Sequence, residues 1–178
     1  MAPNRRTALF LLALAGASAL SLSPYRIGIV WGDSMAPALR SGALYLLVRS
    51  RGVCRGDVVV FRHAGETYVK RVIAAAGDTL YLLEHSGSSA GQLVRADQLR
   101  LLARATTRRP WKSTMKLRVC RVPEGSCFAV GDNLDRSIDS RHFGPVRLGA
   151  IVGRVVGVPP AVLDTQRLAG IFRPQPRS

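Results

Sequence analysis

A succession of short β-forming runs, separated by glycine- and proline-bearing turns, limits what this chain can build. The runs fall at residues 43–49, 57–62, 68–75, 80–83, 117–121, 127–130 and 151–158. Turn signals recur at Arg40-Ser41-Gly42, Arg55-Gly56-Asp57, Ala64-Gly65-Glu66 and Ala76-Gly77-Asp78. Many short strands with regular turns predict a mainly β domain, a barrel or sandwich-like body. Residues 84–113 break the rhythm. Within them 96–104 have helical character, whereas Ser86-Gly87-Ser88-Ser89 and 106–110 have the composition of exposed loop. This stretch is therefore expected to be an inserted helix and loop region. There are no internal repeats, and the proline- and arginine-rich residues 173–178 are expected to be disordered.

The N-terminus obeys a different rule. Residues 7–25 contain no charged side chain, and Arg5 and Arg6 precede them. A bilayer core needs about 20 apolar residues, so one N-terminal transmembrane helix is expected over 7–25. The flanking arginines favour residues 1–6 on the cytoplasmic side. The rival reading is a cleaved leader, since Ala15-Gly16-Ala17 offers the small residues of a processing site. On either reading the remainder is exported, as a domain over 26–160 with a tail over 161–178. The net charge of +15 suits an anionic membrane surface or nucleic acid. The arginines are scattered through strand-like segments without an aromatic platform or helix-turn-helix pattern. Membrane lipid is thus the expected neighbour, and nucleic acid is not.

Export makes the cysteines interpretable. Cys120 and Cys127 flank Pro123-Glu124-Gly125, a good turn sequence. If residues 123 and 124 form the tip of a two-residue hairpin, the two cysteines face each other, and a disulfide is expected there. Cys54 is left over. His63, His85 and His142 are widely separated and no cysteine–histidine spacing resembles a zinc site, so neither metal nor cofactor is expected.

Chemistry concentrates in three places. Ser34 lies in Gly32-Asp33-Ser34-Met35-Ala36-Pro37, which is not a Gly-x-Ser-x-Gly elbow because position 36 is alanine. No histidine sits in a motif that would pair it with Ser34, yet a serine hydroxyl needs a group to take its proton. The basic residues number twenty-three arginines and only three lysines: Lys70, Lys112 and Lys116. Arginine stays charged, whereas a buried lysine can lose its proton and accept another. Lys70, between Val69 and Val72-Ile73, is therefore the candidate base, in the serine–lysine variant of triad logic. The plainer alternative is a solvated strand lysine. The third place is Gly131-Asp132-Asn133 through Ser137-Ile138-Asp139-Ser140-Arg141, a polar support loop.

In these boxes and in their order, the chain resembles the type I signal peptidase family of serine–lysine membrane proteases. The nucleophile box is Gly32 to Pro37, and the following strand is Gly56-Asp57-Val58-Val59-Val60-Phe61. The base box is Tyr68-Val69-Lys70-Arg71-Val72-Ile73 with Gly77-Asp78, and the last box runs from Gly131 to Phe143-Gly144-Pro145-Val146. The resemblance implies a signal-peptidase-like β-domain on the outer side of a membrane, removing signal peptides from exported preproteins after small residues. It implies Ser34 as nucleophile and Lys70 as general base. Ser137 would help orient the lysine amine, with Asp139 and Arg141 as a supporting ion pair; alternatively, that loop only orders a turn.

Some family members carry a serine or threonine two residues before the nucleophile, where this chain has Gly32. The oxyanion donors would then be the Ser34 backbone N–H and whatever Gly32 offers. Subfamily features point to the bacterial, mitochondrial inner-membrane and conjugative-transfer branches alike. Two other readings stand beside this one: a specialised peptidase that matures a single partner such as a pilin, and a non-catalytic, basic, membrane-tethered binding protein.

Overall fold

A computed structural model of the chain describes residues 24–50, 52–85, 91–94 and 115–158. It is mainly β. The strands are β1 (Tyr25–Ile29), β2 (Leu44–Val48), β3 (Val58–His63), β4 (Glu66–Ala75), β5 (Thr79–His85), β6 (Gln92–Val94), β7 (Met115–Arg121), β8 (Ser126–Val130), β9 (Val146–Arg147) and β10 (Ile151–Val156). One short helix, α1 (Ser140–Phe143), follows β8. The larger sheet has the order β1-β2-β10-β3-β4-β8-β9, and the smaller the order β6-β5-β7. Every pairing is antiparallel.

The apolar runs become strands buried on both faces. In β3, Val58 and Val60 pack with Val30, Met35, Leu39, Leu47 and Val155, while Val59 and Phe61 pack with Val72, Cys127, Ala129 and Val146. This is the two-residue alternation of a strand serving two cores at once. β8 does the same, sending Phe128 and Val130 into a third cluster with Leu80 and Leu82 of β5. That third cluster fastens the smaller sheet to the larger one. A register shift in β4 between Val72 and Ala74 lets neighbouring Ile73 and Ala74 both join it. Burying a side chain of this size contributes roughly 1.5–3 kcal/mol.

At the other end of the larger sheet, β1 and β2 form a hairpin with Gly28 opposite Tyr45. The tyrosine ring crosses Gly28 so closely that a Cβ there would overlap it. Only glycine admits that crossing.

Several expectations change. The 123–125 turn exists, with Ser126 N–H donating to Pro123 O, but it does not close a hairpin. β7 leaves it in the smaller sheet and β8 enters it in the larger. Cys120 stands opposite Leu80, and Cys127 between Ala75 and Val146. The expected Cys120–Cys127 disulfide is therefore absent, and all three cysteines are free thiols. Burial pushes the Cys127 thiol up to about 11 and raises Cys120 as well. The last residue of the expected anchor, Tyr25, begins β1. The rest of that segment up to residue 23, the helical stretch 96–104 and the tail 161–178 lie outside the described residues. Among the described residues no helix is long and apolar enough to cross a membrane.

Candidate active site

Three segments distant in sequence converge at one place. Ser34 lies in the loop after β1, whose Met35 and Leu39 are buried in the core. The Leu39 N–H donates to Met35 O at 2.9 Å and the Ala36 N–H to Asp33 O at 3.1 Å, so the loop coils on itself around two apolar anchors. The Asn133 N–H donates to the Ser34 carbonyl at 3.0 Å, tying this loop to the one after β8. Gly131 lies in the same crossing. A Cβ there would overlap both the Ser34 carbonyl and the Ser137 hydroxyl.

Lys70 comes from the middle of β4, opposite Val59. It is 4% exposed, and its Nζ donates to Ser34 Oγ at 2.6 Å. The solvated strand lysine is thereby excluded. Burial disfavours the ammonium and brings its pKa down from 10.5 to about 8. Asp139 and Asp132 oppose that shift, whereas Arg141 adds to it. The next residue, Arg71, points to the other face and forms a buried two-pronged pair with Asp132 at 2.8 and 2.7 Å. Its Nη1 also donates to Gly56 O at 2.8 Å. This pair holds the start of the loop that grips Ser34, and its spacing of 61 residues hid it from the sequence.

Asp139 organises the support loop. Fully buried, it accepts from Ser137 Oγ at 2.5 Å, the Gly131 N–H at 3.0 Å, and the Arg141 backbone and guanidinium at 2.9 to 3.1 Å. Burial alone would raise its pKa. The hydrogen bonds from Arg141 and Ser137, the Arg141 charge and the Gly131 N–H outweigh burial and hold the carboxyl below its usual range. Arg141 also donates to Leu134 O at 2.7 Å and Ser137 O at 3.2 Å. The structure brings Ser137, Asp139 and Arg141 together as one knot. Ser137 spends its hydroxyl proton on Asp139 and makes no hydrogen bond to Lys70. Arg118 of β7 donates to the Arg141 carbonyl at 2.7 Å, so the smaller sheet also grips this loop.

Of the two backbone donors considered for an oxyanion, the Gly32 N–H is engaged with Ser41 Oγ at 3.1 Å. The Ser34 N–H has no partner among the described residues. His63 stacks on Phe143 at 4.1 Å, and His142 Nδ1 accepts from the Asp139 N–H at 3.2 Å. Neither serves Ser34.

A serine hydroxyl thus lies against a buried amine of lowered proton affinity. Comparison with known proteins gives the chain a family. The family model described as signal peptidase, peptidase S26 matches residues 5–158. A signal peptidase I of Bacillus caldolyticus is 34% identical over 154 residues, covering 81% of this chain and 84% of the relative. Mitochondrial inner membrane protease subunit 1 of Schizosaccharomyces pombe is 28% identical, covering 74% of this chain and 71% of its own. A crystal structure of a signal peptidase I from Enterococcus faecalis is 26% identical, with a TM-score of 0.36, covering 58% of this chain and 96% of that one. The chain belongs to the signal peptidase family, peptidase S26, and is an enzyme of that family.

Proposed function

We propose that this enzyme removes N-terminal signal peptides from exported preproteins, with Ser34 as nucleophile and Lys70 as general base. The observation that carries the reading is the 2.6 Å contact between the buried Lys70 amine and the Ser34 hydroxyl. In the neutral amine the direction of that bond reverses. The hydroxyl then donates to the nitrogen lone pair, and the lysine takes its proton as Oγ attacks the scissile carbonyl. The resulting ammonium returns the proton to the departing amine, leaving an acyl-serine. A water, deprotonated by the same lysine, then attacks the acyl carbonyl, and the ammonium returns that proton to Ser34 Oγ as the ester bond breaks. Negative charge on the carbonyl oxygen is met by the Ser34 N–H. A second donor requires the Gly32 N–H to leave Ser41.

Asp139 and Arg141 act on Lys70 through charge and through the rigidity of their loop, and Ser137 acts through Asp139. The resemblance supplies small residues at the first and third positions before the cut. A single span over 7–25 would put Ser34 just beyond the outer membrane face, where translocating preproteins present their cleavage sites.

Incubation of purified protein with a preprotein should yield one cut after a small residue. Ser34→Ala should abolish it while leaving the fold intact, and Lys70→Arg should be nearly as inactive because arginine cannot be the neutral base. Substantial turnover by either variant would exclude the assigned role.

A further inference from the structure

The loop after β8 turns two large apolar side chains out to solvent, Leu134 at 39% exposure and Ile138 at 61%. Among the described residues neither joins a core cluster. Their backbone is nevertheless firmly held. The Leu134 carbonyl accepts from Arg141 at 2.7 Å, and the preceding Asn133 N–H donates to the Ser34 carbonyl at 3.0 Å. Arg136, in the same turn, pairs at the surface with Asp33, the residue before Ser34, at 3.4 Å. Ile138 stands between buried Ser137 and Asp139, whose backbones are both extended (φ −122° and −159°). Side chains alternate along an extended chain, so the two tied into the knot turn the one between them outward. An exposed apolar residue alone is ordinary. Two of them on a fixed frame around the nucleophile are placed to meet what it acts on.

The sheet shows which part of a substrate reaches them. β4 is bonded to β3 from Glu66 to Arg71, but to β8 only from Arg71 onward. Among the described strands, residues 66–70 therefore have a free edge, and it ends at Lys70. A peptide adding to that edge lies in line with β8. It cannot stay on the sheet past Lys70, because β8 fills the edge from Val130. It must leave over the loop that begins at Gly131. Small residues at the first and third positions before the cut have the two-residue period of a strand, so that side of the substrate takes the edge. The residues after the cut then pass over Leu134 and Ile138.

We propose that Leu134 and Ile138 select an apolar side chain at the first or second position after the cut. The pair would be a specificity contact on the leaving side of the scissile bond. The proposal rests on the reading of Ser34 and Lys70 as the cleaving pair, and adds the residues that read the start of the mature chain.

The test offers the full chain in detergent two soluble peptides in competition, identical up to the cut and carrying either two leucines or two serines after it. Wild type should favour the leucine peptide about tenfold in kcat/KM. Leu134→Ser with Ile138→Ser should bring that ratio to within about twofold, whereas Leu134→Met with Ile138→Leu should keep it. Both peptides meet the same molecules, so a partly unfolded preparation cancels from the ratio. In Ser34→Ala protein the same preference should appear as an about tenfold ratio of binding constants by fluorescence anisotropy, without cleavage. Cleavage by that variant would sink the catalytic reading, whereas the ratios report on this proposal alone. Equal rates for the two peptides in wild type, or a preference kept by the double serine variant, would overturn it. So would a ratio that falls only as a dimer dissociates in light scattering, which would assign the pair to a second copy of the chain.

Discussion

Replacing Lys70 with methionine should abolish cleavage and, at neutral pH, make the fold more stable. Methionine fills a similar volume without a charge. Holding the Lys70 pKa near 8 instead of 10.5 costs the folded state about 3 kcal/mol whenever the lysine is protonated. Methionine removes that cost and forfeits the hydrogen bond to Ser34, worth about 1 kcal/mol net. The balance is a gain of roughly 2 kcal/mol at pH 7, or about 4–8 °C in melting temperature. The sign follows from linkage. The folded-state pKa lies below the unfolded one, so between about 8 and 10.5 the unfolded chain binds more protons, and wild-type stability rises with pH through that window. Above it both states hold a neutral lysine and the methionine variant loses its advantage. Thermal unfolding of both proteins at pH 7 and near pH 11 measures this directly. A variant less stable than wild type at pH 7, or a difference independent of pH, would refute a desolvated ammonium at this position.

The neutral fraction of an amine with pKa about 8 is one part in eleven at pH 7 and one half at pH 8, so kcat/KM should rise about fivefold between them. A flat profile there would remove Lys70 as the base. Gly131→Ala should lower activity by about a hundredfold, because the added methyl must displace the Ser34 backbone; a rate within threefold of wild type would show that the crossing yields. Dithiothreitol should leave the melting temperature unchanged, because the three thiols are already free; a fall on reduction would require a bond between them.

The strands were legible where apolar runs met turn residues. Val58 to Phe61 and Cys127 to Val130 alternate between two cores, and such runs declare a strand without showing which sheets it serves. β1 escaped notice because its first residue, Tyr25, closed the expected anchor and Gly28 breaks the short apolar run that follows. The disulfide expectation failed for a related reason. A turn sequence at 123–125 specifies a reversal of direction but not whether both arms stay in one sheet. In the site, Ser34 and Lys70 were visible because each is an odd choice for its neighbourhood. The Arg71–Asp132 pair and the Arg118 contact with the support loop were not, since nothing local distinguishes those arginines from the many others.

The position of β10 dictates when the larger sheet can close. Among the described strands, the hairpin leading into the Ser34 loop is hydrogen-bonded to the larger sheet through β10, which lies between β2 and β3. β10 is the last of the described strands, whereas the Ser34 loop follows the first. Until residues 151–156 have emerged and inserted, β2 and β3 have no strand between them, and the Ser34 loop is held beside Lys70 only by its core packing and by the Asn133 N–H to Ser34 carbonyl bond. The sheet that carries both the Ser34 hairpin and the Lys70 strand is thus closed by the strand made last among those described.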